Sequence, residues 1–79
     1  MKINGPTLRA LREASGLSQV ALSAATGGLV SQGRVSEIEA GRKNGEPLDV
    51  RPATAKAIAA ALNVPLVAIT VPAVQESAS

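Results

Sequence analysis

Not one of the 79 residues carries an aromatic ring. The hydrophobic core must therefore be assembled from small and branched aliphatics, of which the chain supplies 15 Ala, 8 Leu, 8 Val and 4 Ile. Side chains of this size fill space only where backbone elements approach closely. An alanine-rich stock does that in helices, whereas sheets favour β-branched and aromatic residues. The same absence removes a class of function. Without Phe, Tyr or Trp there is no ring on which an unpaired base can stack, as RNA-binding sheets and single-strand grooves require. Cysteine and histidine are missing too, which excludes zinc fingers, thiol nucleophiles, Ser-His-Asp triads and ordinary transition-metal sites. The carboxylates are scattered and none is spaced to activate a nucleophile. No enzyme, cofactor or small-molecule ligand is expected.

A chain of this length makes one domain. Its formal charge is only +2, but the charges are unevenly placed. Residues 1–56 hold all eight bases and five of the six acids, and the rest holds only Glu76. A polyanion would meet the first two-thirds of the chain; ordinary solubilising charge is the competing explanation. The start, Met-Lys-Ile-Asn-Gly-Pro, has no apolar run of signal-peptide length. The most apolar stretch, 57–71, is interrupted by Asn63 and Pro65 and is too short to span a bilayer. A cytoplasmic protein is expected, in keeping with the absence of cysteine.

Turn and cap residues divide the chain into helices. Asn4 caps a first helix with Pro6 in its opening turn, and Leu8, Leu11 and Ala14 recur on one face until Gly16. Arg9 and Arg12 fall on the outer face, where either can meet phosphate or simply water. Ser18 caps a second helix to about Ala25, with Leu22 inward. Thr26-Gly27-Gly28 supplies the sharp reversal. Ser31 caps a third helix from Gln32 to Ala40, which Val35 and Ile38 anchor and Gly41 ends. Residues 41–51 read as a loop. Pro52 opens a fourth helix with Ala55, Ile58, Ala59 and Leu62 as its buried stripe. Pro65 begins a short fifth helix carrying Leu66 and Ile69, although Ile69-Thr70-Val71 also favours strand. The domain spans 1–70, and 71–79 reads as a flexible tail.

Helix, tight glycine turn and helix in the middle of an otherwise helical domain form the pattern of a DNA reader. With Val35 and Ile38 turned inward, a step of about 100° per residue turns Gln32, Gly33, Ser36 and Glu37 outward. They lie toward the helix end that enters the major groove in such motifs. The helix start at Ser31 also favours a phosphate.

The segments Leu17-Ser18-Gln19 and Val30-Ser31-Gln32-Gly33-Arg34-Val35-Ser36-Glu37-Ile38-Glu39-Ala40-Gly41-Arg42 resemble the Cro/CI-type helix-turn-helix family, the lambda-repressor-like regulators of phages and bacteria. The resemblance resumes at Val50-Arg51-Pro52 and runs through Ala59, Leu62, Val64 and Pro65. It implies an all-α domain of five packed helices that binds double-stranded operator DNA and regulates transcription. With only one domain, a Cro-like protein or short immunity repressor fits best, working in a bacterial cytoplasm on the nucleoid, as a homodimer or a monomer. The alternative is an antitoxin that binds both DNA and a toxin protein.

By the same resemblance, Gln19 grips a phosphate while buttressing the reading helix. Gln32 takes the first reading position, where an amide bonds adenine N6 and N7. Glu37 takes a later one, where a carboxylate accepts from cytosine N4, rejects wrong sequences, or pairs with Arg34. Arg34 is open between guanine, phosphate and Glu37. Arg42 and Lys43 match the basic loop that meets the DNA backbone, and Arg51 sits near a second phosphate. Glu39 is expected to be structural, capping and orienting neighbouring backbone. Four features depart from the family pattern. The turn Thr26–Val30 and the loop 41–51 are longer than usual, Ser23 stands where a small Ala lets the helices approach, and Gly33 offers no side chain.

Overall fold

The computed structural model describes residues 1–42 and 45–71. In order come β1 (Lys2–Ile3), α1 (Gly5–Ala14), α2 (Gln19–Ala25), α3 (Gln32–Ala40), β2 (Leu48–Asp49), α4 (Pro52–Leu62) and a 3-10 turn at Leu66–Ala68. The caps fall where the sequence puts them. The Asn4 side chain accepts from the Thr7 amide, Ser18 from that of Ala21, and Ser31 from that of Arg34. Each side-chain acceptor satisfies an amide that a helix start leaves without a partner.

Two expectations are corrected. The described residues form four α-helices rather than five, and a small strand pairing joins them. Pro65 does open a turn, but it lasts only three residues, with i→i+3 bonds from Ala68 to Pro65 and from Ile69 to Leu66. The chain is then captured by β1. The Asn4 amide donates to the Ile69 carbonyl at 2.8 Å and the Val71 amide to the Lys2 carbonyl at 2.8 Å, with Ile3 bridged to Thr70. The strand preference of Ile-Thr-Val wins because an unpaired edge lies beside it. The other edge of β1 pairs antiparallel with β2, Lys2 opposite Asp49 and Ile3 opposite Leu48. The segment expected as plain loop thus returns to the core. The Met1 ammonium closes this ribbon on Asp49 Oδ1 at 2.6 Å and on the Val50 carbonyl.

The core joins Leu8, Leu22, Val35, Ile38, Ala55, Ile58, Ala59, Leu62 and Ile69 with Ile3, Val30 and Val50. Leu11 is half-buried against it, while Ala14 is exposed. Arg12 takes the inward place and is buried, which corrects its assignment to the outer face. Gly5, the first residue of α1, lies so close to the end of α3 that a Cβ would collide with the Glu39 carbonyl and approach that of Ile38 to 2.8 Å. No helix among the described residues is long and apolar enough to cross a membrane. Lys43 and most of the expected tail, residues 72–79, lie outside the described residues. That tail is where the antitoxin alternative would show itself.

Candidate nucleic-acid interface

The turn between α2 and α3 is held by hydroxyls as well as glycines. Gly27 and Gly28 both have positive φ, 71° and 82°, which allows the reversal directly after the Thr26 cap. The Ser23 hydroxyl donates to the Val30 carbonyl at 2.7 Å, and the Val30 amide donates to Thr26 Oγ1 at 3.1 Å. Ser23 thus compensates for its size by capturing a carbonyl, and the longer turn ends on a buried Val30. From there α3 runs with Val35 and Ile38 fully buried and with Gln32, Gly33 and Glu37 exposed.

A chain of polar contacts leads from the interior to the first residue of α3. Arg12 donates twice to Glu39, Nε to Oε2 at 2.6 Å and Nη2 to Oε1 at 3.1 Å, and once to the Leu17 carbonyl at 2.7 Å. The two side chains retain only 10% and 5% of their exposure. Hydrogen bonding to Glu39 raises the Arg12 pKa despite the opposing effect of burial, so the guanidinium stays charged. Gln19 Nε2 donates to Glu39 Oε1 at 3.2 Å. Gln32 Nε2 in turn donates to Gln19 Oε1 at 2.9 Å. One buried ion pair thereby reaches an exposed amide at the start of α3.

The other expected site residues fall into two groups around this helix. Arg9 lines an open groove of about 300 Å³ with Gln19, Ser36 and Glu39, while its own Nε pairs with Glu13 at 3.2 Å. Ser31, Arg34 and Arg51 line a second groove of about 450 Å³ with Val30 and Thr54. Arg51 is exposed and stands as the N-cap of α4, without a side-chain cap bond. Two basic side chains and two helix starts face this space, an arrangement suited to an anion. Arg34 Nη1 also reaches Glu37 Oε1 at 3.3 Å, the intrahelical partner considered for it. Gly33 has open space where a Cβ would be. Arg42 belongs to neither groove; it is exposed, and its amide donates to the Glu46 carbonyl at 2.8 Å. Among the described residues no group of His, Cys, Asp or Glu could hold a metal ion.

Sequence reasoning missed Arg12 as the inner anchor of this network. The signal was present, since Arg12 follows Leu8 by four residues and so shares its buried face. Glu39 is structural as expected, although it acts through the Arg12 and Gln19 side chains rather than by capping backbone.

Residues 5–69 match a protein-family model described as a helix-turn-helix domain. No curated protein and no solved structure matches the chain.

Proposed function

The chain belongs to the helix-turn-helix domain family, and from that premise we propose a transcriptional regulator that recognises double-stranded DNA through α3 and acts by occupying its operator. The observation that carries this reading is Gln32, an exposed amide at the first position of α3, held from behind by Gln19. A side chain held in this way keeps an acceptor and a donor free, and adenine presents the matching N6 donor and N7 acceptor in the major groove. Gly33, Ser36 and Glu37 complete the face turned to the bases. Ser31 and Arg51 on one side, and Arg9 and Gln19 on the other, take phosphates. Arg34, between the bases and the groove it shares with Arg51, meets guanine or phosphate, and Arg42 and Lys43 meet the DNA backbone.

In its finer form the proposal is a Cro-like protein or short immunity repressor of a phage or prophage, cytoplasmic and nucleoid-associated, that blocks polymerase by occupancy. The test is selection of duplexes from a random-sequence library, followed by binding over a salt series. Neutralising about six phosphates lowers affinity on the order of 10³-fold between 50 and 200 mM salt. A flat salt response, or selection that yields no preferred sequence, would sink the reading. Gln32→Ala should relax preference at one or two base pairs at a cost of about 1–3 kcal/mol, whereas Arg42→Ala should weaken all sequences alike. A palindromic selected site marks a homodimer, and an asymmetric one a monomer.

A further inference from the structure

The contacts behind Gln32 have a direction, and the direction is set in the interior. The two Glu39 oxygens both face donors of the Arg12 guanidinium, and a carboxylate in such an ion pair offers acceptors only. The amide end of Gln19 that faces Glu39 must therefore be its NH2, which turns its Oε1 toward Gln32. That oxygen accepts, so Gln32 spends one N–H on it. Gln32 makes no other hydrogen bond among the described residues, and its Oε1 and second N–H remain for a ligand. An acceptor beside a donor fits adenine. A reversed chain would leave both N–H groups of Gln32 free, and two donors fit guanine, whose O6 and N7 both accept.

We propose that Glu39, fixed by Arg12, is a positioning residue for base choice: acting through Gln19, it decides which way round the Gln32 amide stands, and hence selects adenine over guanine. The inference rests on α3 being the DNA-reading helix. Glu39 itself is nine-tenths or more buried, with 5% of its side chain exposed, and it reaches a base only through two amides.

Glu39→Gln tests this without changing the volume of the side chain. The amide oxygen keeps the shorter of the two bonds, Arg12 Nε to the Oε2 position at 2.6 Å, and the NH2 takes the Oε1 position at the cost of the longer bond from Arg12 Nη2 at 3.1 Å. Facing a donor, Gln19 turns over and so does Gln32. The probe is a duplex selected by the unmodified protein, with adenine or guanine at the base pair where Gln32→Ala abolishes preference. The A-over-G affinity ratio is expected to fall on the order of tenfold in Glu39→Gln. It should not fall further when Glu39→Gln is added to Gln32→Ala. Because a lone substitution leaves Arg12 unpaired, Arg12→Met with Glu39→Met provides a second variant that keeps the interior filled, and its ratio should move toward one. A ratio that stays within about twofold in whichever of these variants folds, including one that weakens all duplexes equally, overturns the inference while leaving α3 as the reader. If Gln32→Ala changes no base preference at any position, the reading of α3 itself fails, and this inference fails with it.

Discussion

The guanidinium of Arg12 straddles the carboxylate of Glu39 across 27 residues of sequence, with contacts of 2.6 and 3.1 Å. Both side chains are at least nine-tenths buried, and no buried side-chain polar atom among the described residues lacks a partner. Burial makes such a pair costly to break and less costly to replace. Removing one partner strands the other charge in a poorly solvated place, at about 3 kcal/mol, whereas replacing both by apolar side chains of similar volume is often neutral or stabilising. Arg12→Met alone should therefore unfold at clearly lower urea concentration than the unmodified chain. Arg12→Met combined with Glu39→Met should recover most of that loss. Equal destabilisation by the single and double variants would show that the pair stabilises by its own attraction and not through mutual desolvation.

Ser23→Ala should destabilise the domain by about 1 kcal/mol, even though alanine is the residue that the family resemblance leads one to expect there. The Ser23 hydroxyl satisfies the Val30 carbonyl at 2.7 Å at the end of the lengthened turn, and its loss leaves that partly buried acceptor only the long contact from the Thr26 hydroxyl at 3.5 Å. Ser23→Gly would add backbone entropy to the same loss and should fall lower. Urea midpoints of the two variants check both the size and the order. An unchanged midpoint in Ser23→Ala would mean that water reaches the carbonyl and replaces the hydroxyl.

The helices were legible in the sequence because their signals are local. Asn4, Ser18 and Ser31 cap as their side chains dictate, and the spacing of Val35 and Ile38 fixes which face of α3 is buried. What escaped depends on partners far along the chain. Lys2 and Ile3 are too few to read as a strand, and they become one only because β2 and Thr70 flank them. The fifth helix was lost to that pairing, since a three-residue turn has little cooperativity with which to resist it. At the site, the outward direction of Gln32 and Glu37 followed from helical geometry. The link from Arg12 to Gln32 passes through three elements, and no spacing in a single sequence encodes it.

Gly5 and Gly33 both lie in helices, and alanine should act on them in opposite directions. At Gly5 the added methyl meets the Glu39 and Ile38 carbonyls, so α1 and α3 must separate, at about 2 kcal/mol. At Gly33 it meets nothing within 4 Å, and replacing a helical glycine should stabilise by about 0.5 kcal/mol. Thermal unfolding of the two variants reads this contrast. DNA binding then adds a second contrast, because Gly33→Ala keeps the helix while placing a methyl at the face assigned to the bases. More stable protein with weaker binding is the expected combination. Gly33→Ala protein that is more stable and binds unchanged would take position 33 out of the interface.

Arg34 and Arg51 line the same groove, but among the described residues only Arg34 of the two has a side-chain ion pair. That pair with Glu37 is weak competition for a phosphate. Both side chains are well exposed, at 41% and 66%, and an i,i+3 pair in solvent is worth only a few tenths of a kcal/mol. A DNA phosphate entering the groove should therefore draw Arg34 away from Glu37 and engage Arg51 without prior rearrangement. Arg51→Ala should reduce the slope of log affinity against log salt by about 0.9, the contribution of one phosphate contact, and leave base preference alone. Arg34→Ala should reduce the slope by a similar amount if it meets phosphate. If instead it reads guanine, the slope should change little while preference at one base pair relaxes. Measuring slope and preference together for the two variants thus assigns Arg34 to backbone or base. An unchanged slope in Arg51→Ala would remove the groove from the DNA interface altogether.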